Sequence, residues 1–161
     1  SKAFIRETLF NVIDIGLCSS SLDLFSGSGI LSFEALSRGI KSATLIEKDI
    51  DLVRSIKSNM SVLNIEGASV IKSMVNKFLL SHDTGPYDII FIDPPYNTSL
   101  LDETFQLLKN KNFLENNKYL YYEKSKKDKS GYEKYFNETH NVIKELSIGD
   151  VSYTILINKN L

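Results

Sequence analysis

The order of apolar runs in this chain predicts an α/β fold: a seven-stranded, mostly parallel sheet with helices on both faces. Three observations carry that expectation. Apolar runs of strand length alternate with longer segments of helical period, a glycine loop joins the first such run to a helix, and only the last two runs are close enough to form a hairpin. At 161 residues and 42% hydrophobic content the chain has the size and core of one domain, so residues 1–161 are read as a single unit. No internal repeat or linker-like segment interrupts it.

Seven strands can be placed in order: Ser21–Phe25, Ser42–Glu47, Ala68–Lys72, Tyr87–Ile92, Tyr119–Glu123, a stretch near Thr139–Leu146, and Val151–Ile157. Between them the spacing of Phe4, Ile5, Leu9, Phe10 and Ile13 predicts an amino-terminal amphipathic helix, and a helix over 30–37 follows the glycine loop. The segment from Asp49 to Leu63 carries Ile50, Val53, Ile56, Met60 and Leu63 at three-to-four spacing, and Ser99–Leu108 repeats the pattern with Leu100, Leu101, Phe105 and Leu108. Both are expected to cover the sheet. The most polar stretch, Lys124–Lys134, holds five lysines and reads as a solvated loop or short helix. A sharper reading makes it a nucleic-acid contact with Tyr119, Tyr121, Tyr122, Tyr132 and Tyr135 as stacking groups, although tyrosines in strands usually pack.

Composition limits the function classes. A net charge of −1 supplies no global field for nucleic acid, so any such contact must be a local patch. The single Cys18 rules out an internal disulfide framework and fits a reducing, cytoplasmic setting. No stretch approaches the roughly 18 apolar residues of a membrane span, and the amino terminus, Ser1 to Glu7, has no long apolar core, so the chain reads as soluble. His82 and His140 lie outside any metal or nucleophile spacing, and with Cys18 they read as surface or packing residues.

Three motifs carry chemistry, all at carboxyl ends of predicted parallel strands, where open α/β sheets bind ligands. The first is Asp93-Pro94-Pro95-Tyr96, directly after Asp88-Ile89-Ile90-Phe91-Ile92. A carboxylate, two rigid prolines and an aromatic face suit a planar, amino-bearing ring. The lone pair of such an amine is delocalised, and attack on a methyl donor requires the nitrogen to become more tetrahedral. The Asp93 carboxylate and the Pro94 carbonyl can enforce this by accepting the two amine hydrogens, while Tyr96 stacks on the ring. Asp93 then acts by orientation rather than as a strong base, and Pro94 and Pro95 hold the loop out of a helix.

The second motif is Leu22-Asp23-Leu24-Phe25-Ser26-Gly27-Ser28-Gly29, entering a helix at Ile30. Gly27 and Gly29 let the backbone approach a ligand, but Ser32 stands where a dinucleotide fingerprint needs a third glycine. Asp23 would repel a pyrophosphate and welcome a cation. The third is Glu47, ending Thr44-Leu45-Ile46-Glu47-Lys48-Asp49, a carboxylate placed to accept the two ribose hydroxyls of an adenosine. Asp49 better suits a cap for the helix that follows. The ordered trio points to S-adenosylmethionine rather than a nicotinamide cofactor, and NAD stays open on the glycine loop alone.

With these residues in place, the chain resembles the bacterial 16S rRNA (guanine(966)-N(2))-methyltransferase family. The resemblance rests on Arg6-Glu7-Thr8-Leu9-Phe10-Asn11, the glycine-loop segment, Glu34-Ala35-Leu36-Ser37-Arg38-Gly39, Ala43-Thr44-Leu45-Ile46-Glu47 and Phe91-Ile92-Asp93-Pro94-Pro95-Tyr96. It implies a Rossmann-like class I methyltransferase fold with an antiparallel last strand, and transfer of a methyl group to a guanine N2 of 16S rRNA. The weakly acidic charge makes a 30S assembly intermediate the expected substrate, and a monomer with no metal and no membrane is expected. Asp93, Pro94, Pro95 and Tyr96 become the catalytic set, and Arg6 and Tyr96 the substrate contacts, although Arg6 reads equally as an exposed helix residue. Asp23, Phe25, Ser26, Gly27, Gly29, Glu47, Lys48, Met74, Val75 and Asp93 become the cofactor set. Where this family often carries an acid or amide after the third strand, this chain has Ser73-Met74-Val75-Asn76, so backbone and apolar contacts are expected to hold the adenine. The basic segment with which the family usually begins is expected to be absent here. The alternatives are a DNA adenine-N6 or other amino-group methyltransferase, and a catalytically silent RNA-binding module.

Overall fold

A computed structural model describes residues 3–82, 85 and 87–161; Ser1 and Lys2, part of the amino-terminal reading, lie outside the described residues. The strands are β1 (Ser20–Asp23), β2 (Ser42–Glu47), β3 (Ala68–Lys72), β4 (Ile89–Ile92), β5 (Tyr119–Ser125), β6 (His140–Ile148) and β7 (Val151–Asn158). They form one sheet in the order β3-β2-β1-β4-β5-β7-β6. β1 to β5 pair in parallel, whereas β7 runs antiparallel between β5 and β6. All seven strands predicted from sequence are present, β2 and β3 with the predicted ends and the others with ends displaced by at most two residues.

The helices are α1 (Ala3–Val12), α2 (Ile30–Ser37), α3 (Ile50–Val62), α4 (Val75–Ser81), α5 (Leu100–Asn110) and the short α6 (Glu133–Phe136). One face of the sheet is covered by α1 and α2, through Ile5, Leu9, Phe10, Leu31 and Ala35 packed on Phe91, Tyr121 and Ile155. α3 continues that layer over Ala43 and Leu45 with Ile56. α4 and α5 cover the other face, where Phe78, Leu79 and Phe105 meet Leu22, Ile90, Ile92 and Leu120. Alternation along each strand is what divides the side chains between the two layers. Burying a Leu, Ile or Phe side chain contributes about 1.5–3 kcal/mol, so these two layers are the main source of stability.

α4 is the element the periodicity did not predict. Seven residues long, it packs Val75, Phe78 and Leu79 against the core and leaves Leu80 exposed. The lysine-rich stretch is partly ordered: β5 runs through Lys124 to Ser125, and α6 begins at Glu133. Its tyrosines correct the stacking reading. Tyr119, Tyr121, Tyr122 and Tyr132 are buried in the core, and Tyr135 packs on Phe105 and donates to Asp102 Oδ1 at 2.7 Å, so none presents a free face for a base. Among the described residues no helix is long and apolar enough to cross a membrane.

Candidate active site

At the carboxyl edge of the sheet, the ends of β1, β2, β3 and β4 surround a cavity of about 590 Å³, within the range that holds a cofactor. Its glycine-loop wall is tied down by backbone bonds: Leu24 N donates to Phe91 O at 3.1 Å, Ser26 N to Ile46 O at 3.0 Å, and Gly29 N to Ser26 O at 2.8 Å. Gly27 and Gly29 have φ of 55° and 82°, left-handed values that disfavour side chains. A Cβ on Gly27 would meet nothing within 4 Å, whereas one on Gly29 would press on Leu45 Cδ2 and Phe33 Cζ at 3.2 Å. Gly27 therefore needs its conformation, and Gly29 also needs its smallness.

Glu47 joins this wall to the next. Its Oε1 accepts from Gly27 N at 3.0 Å and its Oε2 from Asp49 N at 2.8 Å. Both oxygens are thereby oriented, and each keeps a second lone pair for a hydroxyl donor. The same bond occupies one loop amide that a phosphate would otherwise use. Asp49 caps α3, its Oδ1 accepting from Asp51 N and Leu52 N, as its position predicted. Among the described residues the cavity wall carries four carboxyl groups, on Glu47, Asp49, Asp93 and Glu103, against one ammonium, on Lys48. That balance repels a pyrophosphate and favours a cationic ligand. Met74, Val75 and Leu52 supply apolar lining, and Asn76 brings an amide to the site from α4.

Asp23 lies beneath this wall rather than in it. Only 2% exposed, it accepts from Ser32 Oγ at 2.9 Å, so Ser32, the residue that breaks the dinucleotide fingerprint, has a structural use. Burial, against that hydrogen bond, pushes the Asp23 carboxyl up to about 7.

Across the cavity, the loop after β4 places Asp93, Pro94, Pro95 and Tyr96 on its lining. Pro94 is buried, Tyr96 is 41% exposed, and the Pro95 carbonyl accepts from Thr98 Oγ1 at 2.9 Å, which braces the turn before α5. Burial raises the Asp93 carboxyl above the usual carboxylate range. It has a neighbour that the motif reading missed. Glu123, two residues before the end of β5, is 2% exposed, and burial followed by the Asp93 charge raises its carboxyl too. The signal for Glu123 was a lone acid closing the aromatic run of a central strand.

The cavity lining thus brings together Phe25, Ser26, Gly27, Glu47, Lys48, Met74, Val75, Asp93, Pro94, Pro95 and Tyr96. Asp23 and Gly29 support it from outside the lining, and Arg6 is half-buried on α1, also outside it. Cys18 and His140 are buried away from the site; His82 stacks on Phe78 at 4.3 Å.

The family model "Conserved hypothetical protein 95" matches residues 1–157. The chain belongs to this family. Curated relatives named "Ribosomal RNA small subunit methyltransferase D" include one from Haemophilus influenzae, 36% identical over 158 residues, covering 96% of this chain and 80% of that protein. Another, from Buchnera aphidicola, is 40% identical over 124 residues, covering 76% of this chain and 65% of its own length. The chain thus spans just under two thirds of the Buchnera relative. The solved structure of yhhF from Escherichia coli superposes with a TM-score of 0.83 at 30% identity, over 100% of this chain and 88% of that one. The sheet order and these neighbours establish the Rossmann-like methyltransferase fold.

Proposed function

We propose that this chain transfers a methyl group from S-adenosylmethionine to the exocyclic N2 of a guanine in 16S rRNA. The observation that carries the reading is the opposition, across one cavity, of the Glu47-anchored glycine loop and the Asp93-Pro94-Pro95-Tyr96 loop. The acidic lining suits a sulfonium and an ammonium, and the residues present fit the cofactor. Glu47 would accept from its ribose hydroxyls, the glycine loop would lie against its amino-acid end, and Met74, Val75 and Leu52 would flank its adenine. When bound, the cofactor supplies an electrophilic methyl group.

The chain's own residues supply orientation. Asp93 and the Pro94 carbonyl accept the amine hydrogens and aim the nitrogen lone pair across the cavity. Tyr96, exposed at the rim, stacks on the base, contributing about 1–3 kcal/mol toward extracting it from its own stack. The names of the relatives support a small-subunit RNA as substrate. A net charge of −1 favours a partly assembled 30S particle over naked RNA, because such a particle adds protein contacts to a weak electrostatic attraction. The reading places the protein in the cytoplasm as a monomer.

Two measurements test it. Calorimetry should show S-adenosylmethionine binding and no NAD binding; the reverse result overturns the cofactor. Label from methyl-labelled cofactor should enter 16S rRNA or 30S particles at guanine N2 and leave DNA unlabelled; label on adenine, or in DNA alone, overturns the substrate.

A further inference from the structure

The parallel register pairs Ile92 of β4 with Tyr122 of β5, so the next residues along, Asp93 and Glu123, stand side by side at the carboxyl edge. The two carboxyls interact, each altering the other's hold on a proton. Around Glu123 the surroundings are sealed. Tyr153 of β7 lies directly opposite it in the antiparallel register, and Tyr121 of β5 lies on the same face, packed edge-on against Phe91. The Tyr121 hydroxyl influences Glu123 without making a bond of normal geometry, and among the described residues both that hydroxyl and Glu123 Oε2 are buried without a hydrogen-bond partner. Orphaned buried polar atoms of this kind are costly, about 1–3 kcal/mol each, and an apolar residue of similar volume would avoid the cost. Glu123 is absent from the cavity lining, whereas Asp93 is part of it.

We propose that Glu123 is a positioning residue: its carboxyl holds a proton and donates it in a hydrogen bond to Asp93, fixing which Asp93 oxygen is offered to the acceptor amine. The inference rests on the methyl-transfer reading above. Two adjacent buried carboxyls cannot both ionise, and raising both carboxyls by burial leaves the pair holding one proton near neutral pH. With Glu123 the protonated member, Asp93 remains an acceptor with one oxygen engaged and one available. Nothing is consumed in this arrangement; the proton stays on Glu123 through the transfer, and the proton released by the methylated nitrogen passes to solvent water at the open rim beside Tyr96.

The test separates positioning from packing. Glu123→Met fills the same volume without a donor, so a purely structural glutamate would leave activity unchanged while the melting temperature held or rose. The positioning role predicts that Glu123→Met lowers kcat by roughly 10- to 100-fold, as a misplaced catalytic group does, with KM for RNA and the affinity for S-adenosylmethionine unchanged. Glu123→Gln, whose amide can donate to Asp93, should recover kcat to within a few-fold of wild type. Full activity in Glu123→Met, or equal losses in the Met and Gln variants, overturns the proposal. Failure of the wild-type protein to methylate guanine N2 while binding the cofactor overturns the underlying reading instead, so the two failures are distinguishable.

Discussion

The two walls of the cavity are built on opposite principles. On the glycine-loop wall the charged group is satisfied: each Glu47 oxygen takes a backbone amide, and the loop is held by further main-chain bonds. On the Asp93 wall two carboxyls crowd together, that of Glu123 buried with an orphaned oxygen, and both have raised affinities for protons. The first wall is rigid and electrostatically settled, as suits a seat for a molecule that must be held. The second keeps unsatisfied acceptor capacity where the proposed transfer would reorient an amine, and its cost is offset by the two apolar layers beneath it.

Substitution should therefore split binding from turnover. The largest effect is expected for Asp93→Ala, which removes the acceptor on the turnover wall: kcat should fall about 10²- to 10³-fold. Its affinity for S-adenosylmethionine, measured by calorimetry, should change by only a few-fold; a parallel collapse of binding would erase the division between the walls. Glu47→Ala should do the converse. Losing a charged acceptor, at about 1.5–3 kcal/mol, weakens cofactor affinity about 10- to 100-fold. At saturating cofactor, kcat should hold to within a few-fold, with the Gly27 amide freed from its partner.

Within the binding wall the two glycines sharpen the same contrast on a smaller scale. Gly27→Ala forces a left-handed residue at about 1–2 kcal/mol and meets no neighbour. Gly29→Ala adds contact with Leu45 and Phe33 at 3.2 Å to the same backbone strain, so it should lower the thermal midpoint further, by about 2–4 °C per additional kcal/mol. Equal midpoints for the two variants would mean that the Leu45 and Phe33 side chains move aside at no cost.

The strands and the two signature loops were legible because each is announced locally: apolar runs bounded by turns, glycines before a helix, prolines after a strand. α4 was not, since seven residues, with Leu80 exposed beside the inward Val75, Phe78 and Leu79, give too little period to stand out. Asp23 reads from sequence as an acid facing a cationic ligand, whereas it lies beneath the cavity wall and is bonded to Ser32, nine residues on. Glu123 is the instructive case. Its chemistry comes from a register between β4 and β5, and residues 30 positions apart become neighbours through pairing that no single-chain pattern displays. The lysine-rich stretch is the loop and short helix its composition suggests, and only the alternative of stacking tyrosines fails, because those rings follow a core that forms when α5 and α6 meet.

The smallest expected effect is on the slope of stability with pH, and it opposes a buried acid of the site to a buried base far from it. Asp23 is raised from 3.8 to about 7, chiefly by burial, so the folded state binds its proton more tightly than the unfolded chain. The stability it contributes is present below about pH 4 and is lost as pH rises through 7. His140 is lowered from 6.5 to about 4 by burial, its Nδ1 beside Thr139 Oγ1 and its Nε2 without a partner among the described residues. Its contribution has the reverse sign, present above 6.5 and lost as pH falls through 4. Between about pH 4 and 6.5 the two oppose each other, with Glu123 acting in the same sense as Asp23. Asp23→Asn should unmask His140, so that the melting temperature falls more steeply as pH drops from 6.5 to 4. His140→Asn should unmask the acids, giving a melting temperature that falls as pH rises from 4 to 7. Melting curves across that range decide it: variants that run parallel to wild type would mean that neither group titrates differently on folding.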